Sequence, residues 1–377
     1  MKKDWEIKKL GDICEFRRGL TYSKNDEVEN SSNAVLRSNN IDLITNQLDL
    51  SEIKYISDKI KIDETKKVKR NSLLICTANG SKAHLGKVAF IDDDYDFAFG
   101  GFMGLLIPSE SIYPRFFYYA LISENYKKFI KSLSDGANIN NLKFQDLSNF
   151  EIPVPPHEEQ KRIVKILDEK IAQLETIKTN AKTNLQNAND LFQSQLTKAF
   201  SNTTWEKKRF SELFKLSSGD YLNSKSIIKG EYPIYGGNGI IDYHKEYNLT
   251  GDNIIIGRVG ALCGNVRYIS EPIWLTDNAF KLSFIDFNYD YSFITYLLNH
   301  INLRSFARQA AQPVISNSSL KDIEIPLPPL PEQKRIVEEL DTLSEKVKAL
   351  QNIYEQMLLD CEELKQSFLC KAFAGEL

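Results

Sequence analysis

The chain lacks most marks of a membrane, secreted or metal-dependent protein. No run of about 18 apolar residues occurs among its 377, so no segment reads as a membrane-crossing helix. Met1-Lys2-Lys3-Asp4-Trp5 has no apolar stretch behind its lysines, which argues against a secretory signal. The cysteines (Cys14, Cys76, Cys263, Cys361, Cys370) are odd in number and form no Cys-x-x-Cys pair, so free thiols in a reducing cytoplasm are expected. The four histidines, His84, His157, His244 and His300, are scattered without ligand-like spacing, and no metal is expected. Positive charge is also short: the net charge is −3 and the pI about 6.0. That is not the footprint of a protein that grips nucleic acid by bulk electrostatics, so any such role must use local patches or a partner's charge.

Catalytic signatures are equally scarce. Gly80-Ser81-Lys82-Ala83-His84-Leu85-Gly86-Lys87-Val88 has the outline of a phosphate loop. It puts five residues between the glycines instead of four, and Val88 where magnesium needs a hydroxyl, so a strand-connecting turn is the better account. Phe97-Ala98-Phe99-Gly100-Gly101-Phe102 has a faint likeness to a methyltransferase cofactor loop, but no Asn-Pro-Pro-Tyr-type motif accompanies it. Packing at a strand explains it better. Asp92-Asp93-Asp94 reads as a solvated turn.

What the chain does have is one passage written twice. Ile152-Pro153-Val154-Pro155-Pro156-His157-Glu158-Glu159-Gln160-Lys161-Arg162-Ile163-Val164 returns as Ile325-Pro326-Leu327-Pro328-Pro329-Leu330-Pro331-Glu332-Gln333-Lys334-Arg335-Ile336-Val337. The offset, 333 − 160, is 173, and Lys198-Ala199-Phe200 recurs as Lys371-Ala372-Phe373 at the same offset. Two tracts of matched length suggest spacers, and a spacer implies two objects held apart. Trp5-Glu6-Ile7-Lys8-Lys9 likewise resembles Trp205-Glu206-Lys207-Lys208-Arg209, so whole modules are duplicated in the order module, arm, module, arm. The boundaries fall at 1–151, 152–202, 203–324 and 325–377.

Each module reads as mixed α/β. Ser72-Leu73-Leu74-Ile75-Cys76 and Asn253-Ile254-Ile255-Ile256 look like buried strands, followed by Gly-rich turns at Asn79-Gly80-Ser81 and Gly257-Arg258-Val259-Gly260. An aromatic-rich helical stretch follows in each, near 114–133 and 289–307.

The arms read as long helices. In the second, Ile336, Leu340, Leu343, Val347, Leu350, Tyr354, Met357, Cys361, Leu364 and Phe368 step by four and three, a sustained a/d seam. In the first, Ile163, Leu167, Leu174 and Ile177 continue through Ala181 and Ala188, but Lys170, Asn184 and Gln195 interrupt. Either that seam drifts by one residue, through Ile171, Leu185 and Leu196, or polar groups set its register. From His157 to Phe200 the arm would span roughly 66 Å at 1.5 Å per residue. Two such arms would pair, most simply antiparallel, placing the modules about a pseudo-two-fold axis. Many DNA readers match such symmetry to two separated half-sites. Gln160, Lys161 and Arg162, repeated as Gln333, Lys334 and Arg335, would either contact a partner or cap the arm beside its module.

The doubled Ile-Pro-x-Pro-Pro-x-x-Glu-Gln-Lys-Arg-Ile-Val passage, the Lys-Ala-Phe ends and the Trp-Glu starts resemble the specificity subunit of Type I restriction–modification systems. The resemblance covers essentially the whole chain. It implies an α/β (α+β) fold: two mixed target-recognition domains joined by two long antiparallel coiled-coil helices. It implies a cytoplasmic, non-catalytic protein that binds double-stranded DNA and docks two adenine methyltransferase subunits. Restriction (helicase–nuclease) subunits would join these, and S-adenosylmethionine, ATP and magnesium would belong to the partners. The competing readings are a coiled-coil scaffold carrying two small-molecule or protein-binding modules, and a cryptic nuclease or methyltransferase.

Base reading needs polar side chains on loops that can enter a groove, and phosphate contacts need cations and small residues. In the first module these are Arg17, Arg18 and Tyr22; Arg37 and Asn39; Asn79, Ser81, Lys82 and His84; and Asn140 and Lys143. In the second they are Tyr221, Lys225, Asn238, Arg258, Asn278, Arg304, Arg308, Gln312 and Asn317. Arg258 and the Asn79–Lys82 turn lead the set, because both glycine-flanked loops fall at one place in the duplicated plan.

Overall fold

A computed structural model describes residues 4–134, 141–286, 289–308 and 313–377. It resolves into two compact units, Met1–Ala181 with Gln356–Leu377, and Lys182–Glu355. Each contains one module and the arm segments beside it.

In the first unit, strands Cys14–Arg18, Met103–Pro108, Leu73–Cys76 and Val88–Phe90 form an antiparallel sheet in that order. A second sheet runs Glu27–Val28, Lys54–Ile56, Asn33–Leu36, Phe97–Phe99, with its last pair parallel. The apolar run Leu73–Cys76 is buried on both faces. Leu73 and Ile75 join the core beneath helices Pro114–Leu121 and Glu124–Ser134, while Leu74 and Cys76 join a core that includes Leu36 and Phe99 of the other sheet. Alternation at period two thus splits one apolar strand between two cores. Burying each such side chain contributes about 1.5–3 kcal/mol.

The second unit repeats the plan. Strands Phe214–Ser218, Ala279–Phe284, Asn253–Gly257 and Val266–Ile269 form its first sheet, and Gly239–His244, Tyr232–Gly236 and Trp274–Leu275 its second. Ile254 and Ile256 face the core under helix Tyr291–Ile301, and Ile255 faces the other.

A two-stranded ribbon closes each module. Glu6–Lys9 pairs antiparallel with Glu151–Val154, and Glu206–Arg209 with Glu324–Leu327. Directly after each ribbon an arm begins, His157–Ala199 and Leu330–Ala374. Gln160 and Gln333, each only 1% exposed, fasten the arm to its module. Gln160 Oε1 accepts from the Tyr113 amide at 2.7 Å, while its Nε2 donates to Pro155 O and Ser111 O at 2.9 and 3.1 Å. Gln333 repeats this with the Asp290 amide and Pro328 O, both at 2.9 Å. A second clamp lies two turns on: the Tyr119 hydroxyl donates to Asp168, and that of Tyr296 to Asp341 at 2.7 Å. Of the two accounts of the repeated Gln-Lys-Arg, attachment to the module therefore holds for the glutamine. Arg162 and Arg335 instead pair with glutamates one turn away on their own helix, and Arg162 Nη2 also donates to Leu377 O at 2.6 Å.

The arms run antiparallel within each unit. In the first, Ile163, Val164 and Leu167 share a core with Leu369, Ala372 and Phe373, and Lys178 Nζ lies 3.0 Å from Glu362. In the second, Leu196 and Phe200 share a core with Ile336 and Leu340, and Gln351 Nε2 donates to Asn189 Oδ1 at 2.6 Å.

Three of the expected pairing residues face outward. Ile177 is 41% exposed, Leu350 38% and Leu364 48%, and their inward places are taken by Lys178, Gln351 and Lys365. The first arm's seam runs through Ile171, Ala181, Leu185 and Ala188 to Leu196, so it drifts by one residue, leaving Lys170, Asn184 and Gln195 exposed. An α-helix turns every 3.6 residues, so a strict seven-residue repeat falls about 20° behind with each heptad. The neighbouring residue then faces the partner even when it is polar. Leu174, Leu340 and Val347 are buried, and Leu343 and Met357 half-buried.

Candidate functional site

The register of the two sheets makes the modules comparable residue by residue. Cys76 pairs with Met103, and Gly257 with Ala279. One step on, the amides of Thr77 and Arg258 donate to the carbonyls of Phe102 and Asn278 at 2.9 and 3.0 Å. The carbonyls of Thr77 and Arg258 then accept from Leu142 and Ile315 at 2.7 and 2.9 Å. Thr77 and Arg258 therefore occupy one position, as do Phe102 and Asn278. On the second sheet, Leu36 pairs with Phe99 and Tyr235 with Leu275, which places Asn39 opposite Asn238 in the two plans. Gly19 and Gly219 each let two backbones meet: a Cβ there would lie 2.0 Å from Gly100 O or 2.3 Å from Leu275 O.

Loops from both sheets thus gather at one end of each module. In the first they border an open cleft of about 800 Å³. Tyr22, Arg37 and Asn79 line it, joined by Ser38 and the Gly100–Met103 turn. Arg37 lies 3.6 Å from Glu27 and keeps much of its guanidinium in solvent. Burial pushes the Tyr22 phenol upward, against the pull of Arg37. A smaller cleft beside it is lined by Arg18, Lys143 and Phe144, with Arg18 poised 5.6 Å over the Phe144 ring. Ala78, Gly101, Phe102 and Met103 border both clefts, so this turn forms the ridge between them.

Other candidates have different employment. The Asn79 amide is spent on structure: its Nδ2 donates to Ser38 Oγ at 2.9 Å and its Oδ1 accepts from the Ser81 amide at 2.8 Å. It braces two loops and is a poor base reader. Arg17 stays on strand Cys14–Arg18, paired with Glu15 at 2.7 Å, and lines neither cleft. His84 is half-buried with its Nδ1 enclosed and unpartnered, and it also lies away from the clefts. Ser81, Lys82 and Asn39 are exposed. Asn140 and Gln312 lie outside the described residues.

In the second module, Arg258 Nη1 donates to Ser218 Oγ at 3.2 Å and Asp277 O at 3.3 Å, with its guanidinium 5.3 Å over Phe280. These bonds hold the side chain across the turn that carries Asn278. Asn238 Oδ1 accepts from the Leu262 amide at 3.0 Å, a loop-to-loop brace like that of Asn79. Arg304 Nη1 donates to Ala261 O at 2.5 Å, and the Arg308 amide to Val314 O at 2.9 Å. Asn278, Arg308, Asn317, Tyr221 and Lys225 are exposed. The sequence reading missed Phe102, which it assigned to strand packing. Gly100-Gly101 before it was the available signal, since paired glycines mark a turn.

Among the described residues no group of three or more His, Cys, Asp or Glu is placed to hold a metal, and no helix is long and apolar enough to cross a membrane.

The family model for the Type I restriction modification DNA specificity domain matches twice, over residues 2–186 and 202–358. The StySPI specificity subunit of Salmonella potsdam is 27% identical, and the EcoKI specificity subunit of Escherichia coli K12 26% identical. In both, the alignment covers all of this chain and 90% of the relative. Among solved structures, a chain from a study of type I R-M complex assembly superposes with a TM-score of 0.81 at 19% identity, covering 100% of this chain and 99% of that one. The HsdS subunit from Thermoanaerobacter tengcongensis superposes at 0.60, also at 19% identity, covering 100% and 98%. With its two matched domains, its doubled fold and the loops gathered at one end of each module, the chain belongs to the Type I restriction–modification DNA specificity family, as the sequence-recognition subunit and not a catalytic one.

Proposed function

We propose that each module reads one half of a split DNA target with its gathered loops, and that the paired arms set the distance between the halves. The observation that carries this reading is the residue-by-residue equivalence of the two loop clusters. One frame presents Phe102 in the first module where it presents Asn278 in the second, and holds a buried Thr77 where the second carries Arg258, so two unlike sequences would be read by one geometry. Arg18, Arg37 and Lys143 supply the local positive charge that a net-acidic chain needs for phosphate contact.

The outward residues of the arms fit the docking of two adenine methyltransferase subunits. Ile177, Leu359 and Leu364 are exposed in the first unit, and Leu191, Leu350 and Ile353 in the second. Apolar side chains repeated along a solvent-facing helix favour another protein surface. In this reading S-adenosylmethionine belongs to those subunits, and ATP and magnesium to restriction subunits that join them.

The test is a gel shift of the subunit assembled with its methyltransferase partners on a random DNA pool, followed by sequencing of the bound fraction. A split motif with a fixed gap is expected. A featureless bound pool would overturn the reading and favour a scaffold.

A further inference from the structure

We propose that the tip of the turn between the two sheets is a base-reading position in both modules. Phe102 would touch the 5-methyl group of a thymine in the first, and Asn278 would hydrogen-bond an adenine in the second. The proposal rests on the gathered loops being the DNA-facing surface.

Phe102 is 73% exposed, though phenylalanine is usually buried. Its backbone is fixed: the carbonyl accepts from the Thr77 amide at 2.9 Å, the Ala78 amide at 3.1 Å and Thr77 Oγ1 at 2.9 Å. With the backbone fixed, only the two side-chain torsions of the ring remain to be ordered on binding. It stands on the ridge between two clefts, with Arg37 lining one and Arg18 and Lys143 the other. Cations on both sides suit the two phosphate strands that border a groove, which leaves the ring facing base edges. In the major groove the one base-edge feature that rewards an apolar contact is the thymine methyl. A wedge between stacked bases fits less well. Gly100 and Gly101 carry no side chain and Met103 is buried, so no apolar neighbour would help hold a step open.

Asn278 occupies the same place. Its carbonyl accepts from Arg258 at 3.0 Å, and its exposed side-chain amide makes no hydrogen bond among the described residues. Donor and acceptor are thus both available for the adenine N7 and N6 pair.

The experiment uses the subunit assembled with its methyltransferase partners. The bound sequence is first selected from a random pool, and the half-site at which Arg37→Ala abolishes phosphate-ethylation interference is assigned to the first module. Each thymine there is then replaced by deoxyuridine. The wild type is expected to lose about fourfold in affinity at one thymine, the equivalent of burying one methyl group. Phe102→Ala should bind both bases alike, and Phe102→Leu should retain the preference. Asn278→Ala should relax one adenine position in the other half-site and leave the thymine position unchanged. Both residues are exposed, so these variants should unfold at the wild-type temperature. A first half-site without thymine, or deoxyuridine sensitivity that survives in Phe102→Ala, overturns the proposal. So does 2-aminopurine brightening that depends on Phe102 without any deoxyuridine effect, which would mark a wedge. If Arg37→Ala and Arg258→Ala both leave affinity and selected sequence unchanged, the surface assignment itself falls.

Discussion

Thr77 and Arg258 are one backbone position carrying two side chains. Each amide donates to the carbonyl of the opposite turn, at 2.9 and 3.0 Å, and each carbonyl accepts from the segment before a short helix. The Thr77 side chain is buried and spends its hydroxyl on the Phe102 carbonyl at 2.9 Å, whereas Arg258 at the same place bridges Ser218 and Asp277, so one frame carries unlike side chains.

Arg258→Ala should therefore act on one position of one half-site. If the guanidinium reads a base, the preferred sequence there should relax by about 1–3 kcal/mol, measured by competition between single-base variants of the target. Equal weakening on every sequence would assign the side chain to phosphate.

Lengthening the arms tests their role as spacers. Four residues added to each, at matched places, extend each helix by roughly 6 Å, about two base pairs at 3.4 Å each. The gap between half-sites should grow while both half-sites persist. An unchanged gap refutes the spacer.

Gln160→Ala and Gln333→Ala should each destabilise the protein by about 1–3 kcal/mol, since each strands a buried proline carbonyl and a part-buried amide. Chemical denaturation gives the number. Arg335→Ala, at exposed pairs on the same helix as Gln333, should fall within about 0.5 kcal/mol of wild type.

The arms offer a contrast between inward and outward positions. Leu340→Asp should disrupt arm pairing, because Leu340 is buried between its module and the other arm. Leu350→Asp should leave unfolding nearly unchanged and weaken methyltransferase capture in a pull-down. Equal loss of stability in both would contradict the outward orientation of Leu350.

Lys87 provides a pH test. Its Nζ is enclosed without a hydrogen-bond partner, and burial lowers its pKa from 10.5 to about 8. Between those values the unfolded chain holds the proton more tightly than the folded one, so this residue's contribution to stability rises with pH across that window. Below about 8 the cost is constant. The stability difference between Lys87→Met and wild type should shrink as pH rises from 8 to 10.5. A difference independent of pH would show that Lys87 is charged throughout.

Much of the fold was legible because local chemistry dictates it. Two long apolar seams after the doubled passage announced the helices, and Leu73–Cys76 and the run Asn253-Ile254-Ile255-Ile256 announced buried strands. What stayed hidden depends on partners far along the chain. That Lys178, Gln351 and Lys365 face inward follows from accumulated helix rotation, which an apolar pattern cannot report for polar residues. That Asn79 is spent on Ser38, 41 positions away, follows from sheet register. Phe102 was hidden by its own apolarity, since a phenylalanine after a strand-like run reads as core.

The ribbons that join Glu6–Lys9 to Glu151–Val154, and Glu206–Arg209 to Glu324–Leu327, bring the two ends of each module side by side. Loops between such ends can grow, shrink or be replaced without moving the helix that follows, provided the segments that hold Gln160 and Asp168, or Gln333 and Asp341, are kept. Each module is then an interchangeable cartridge, and a new set of loops can be seated on the same two strands and the same clamps.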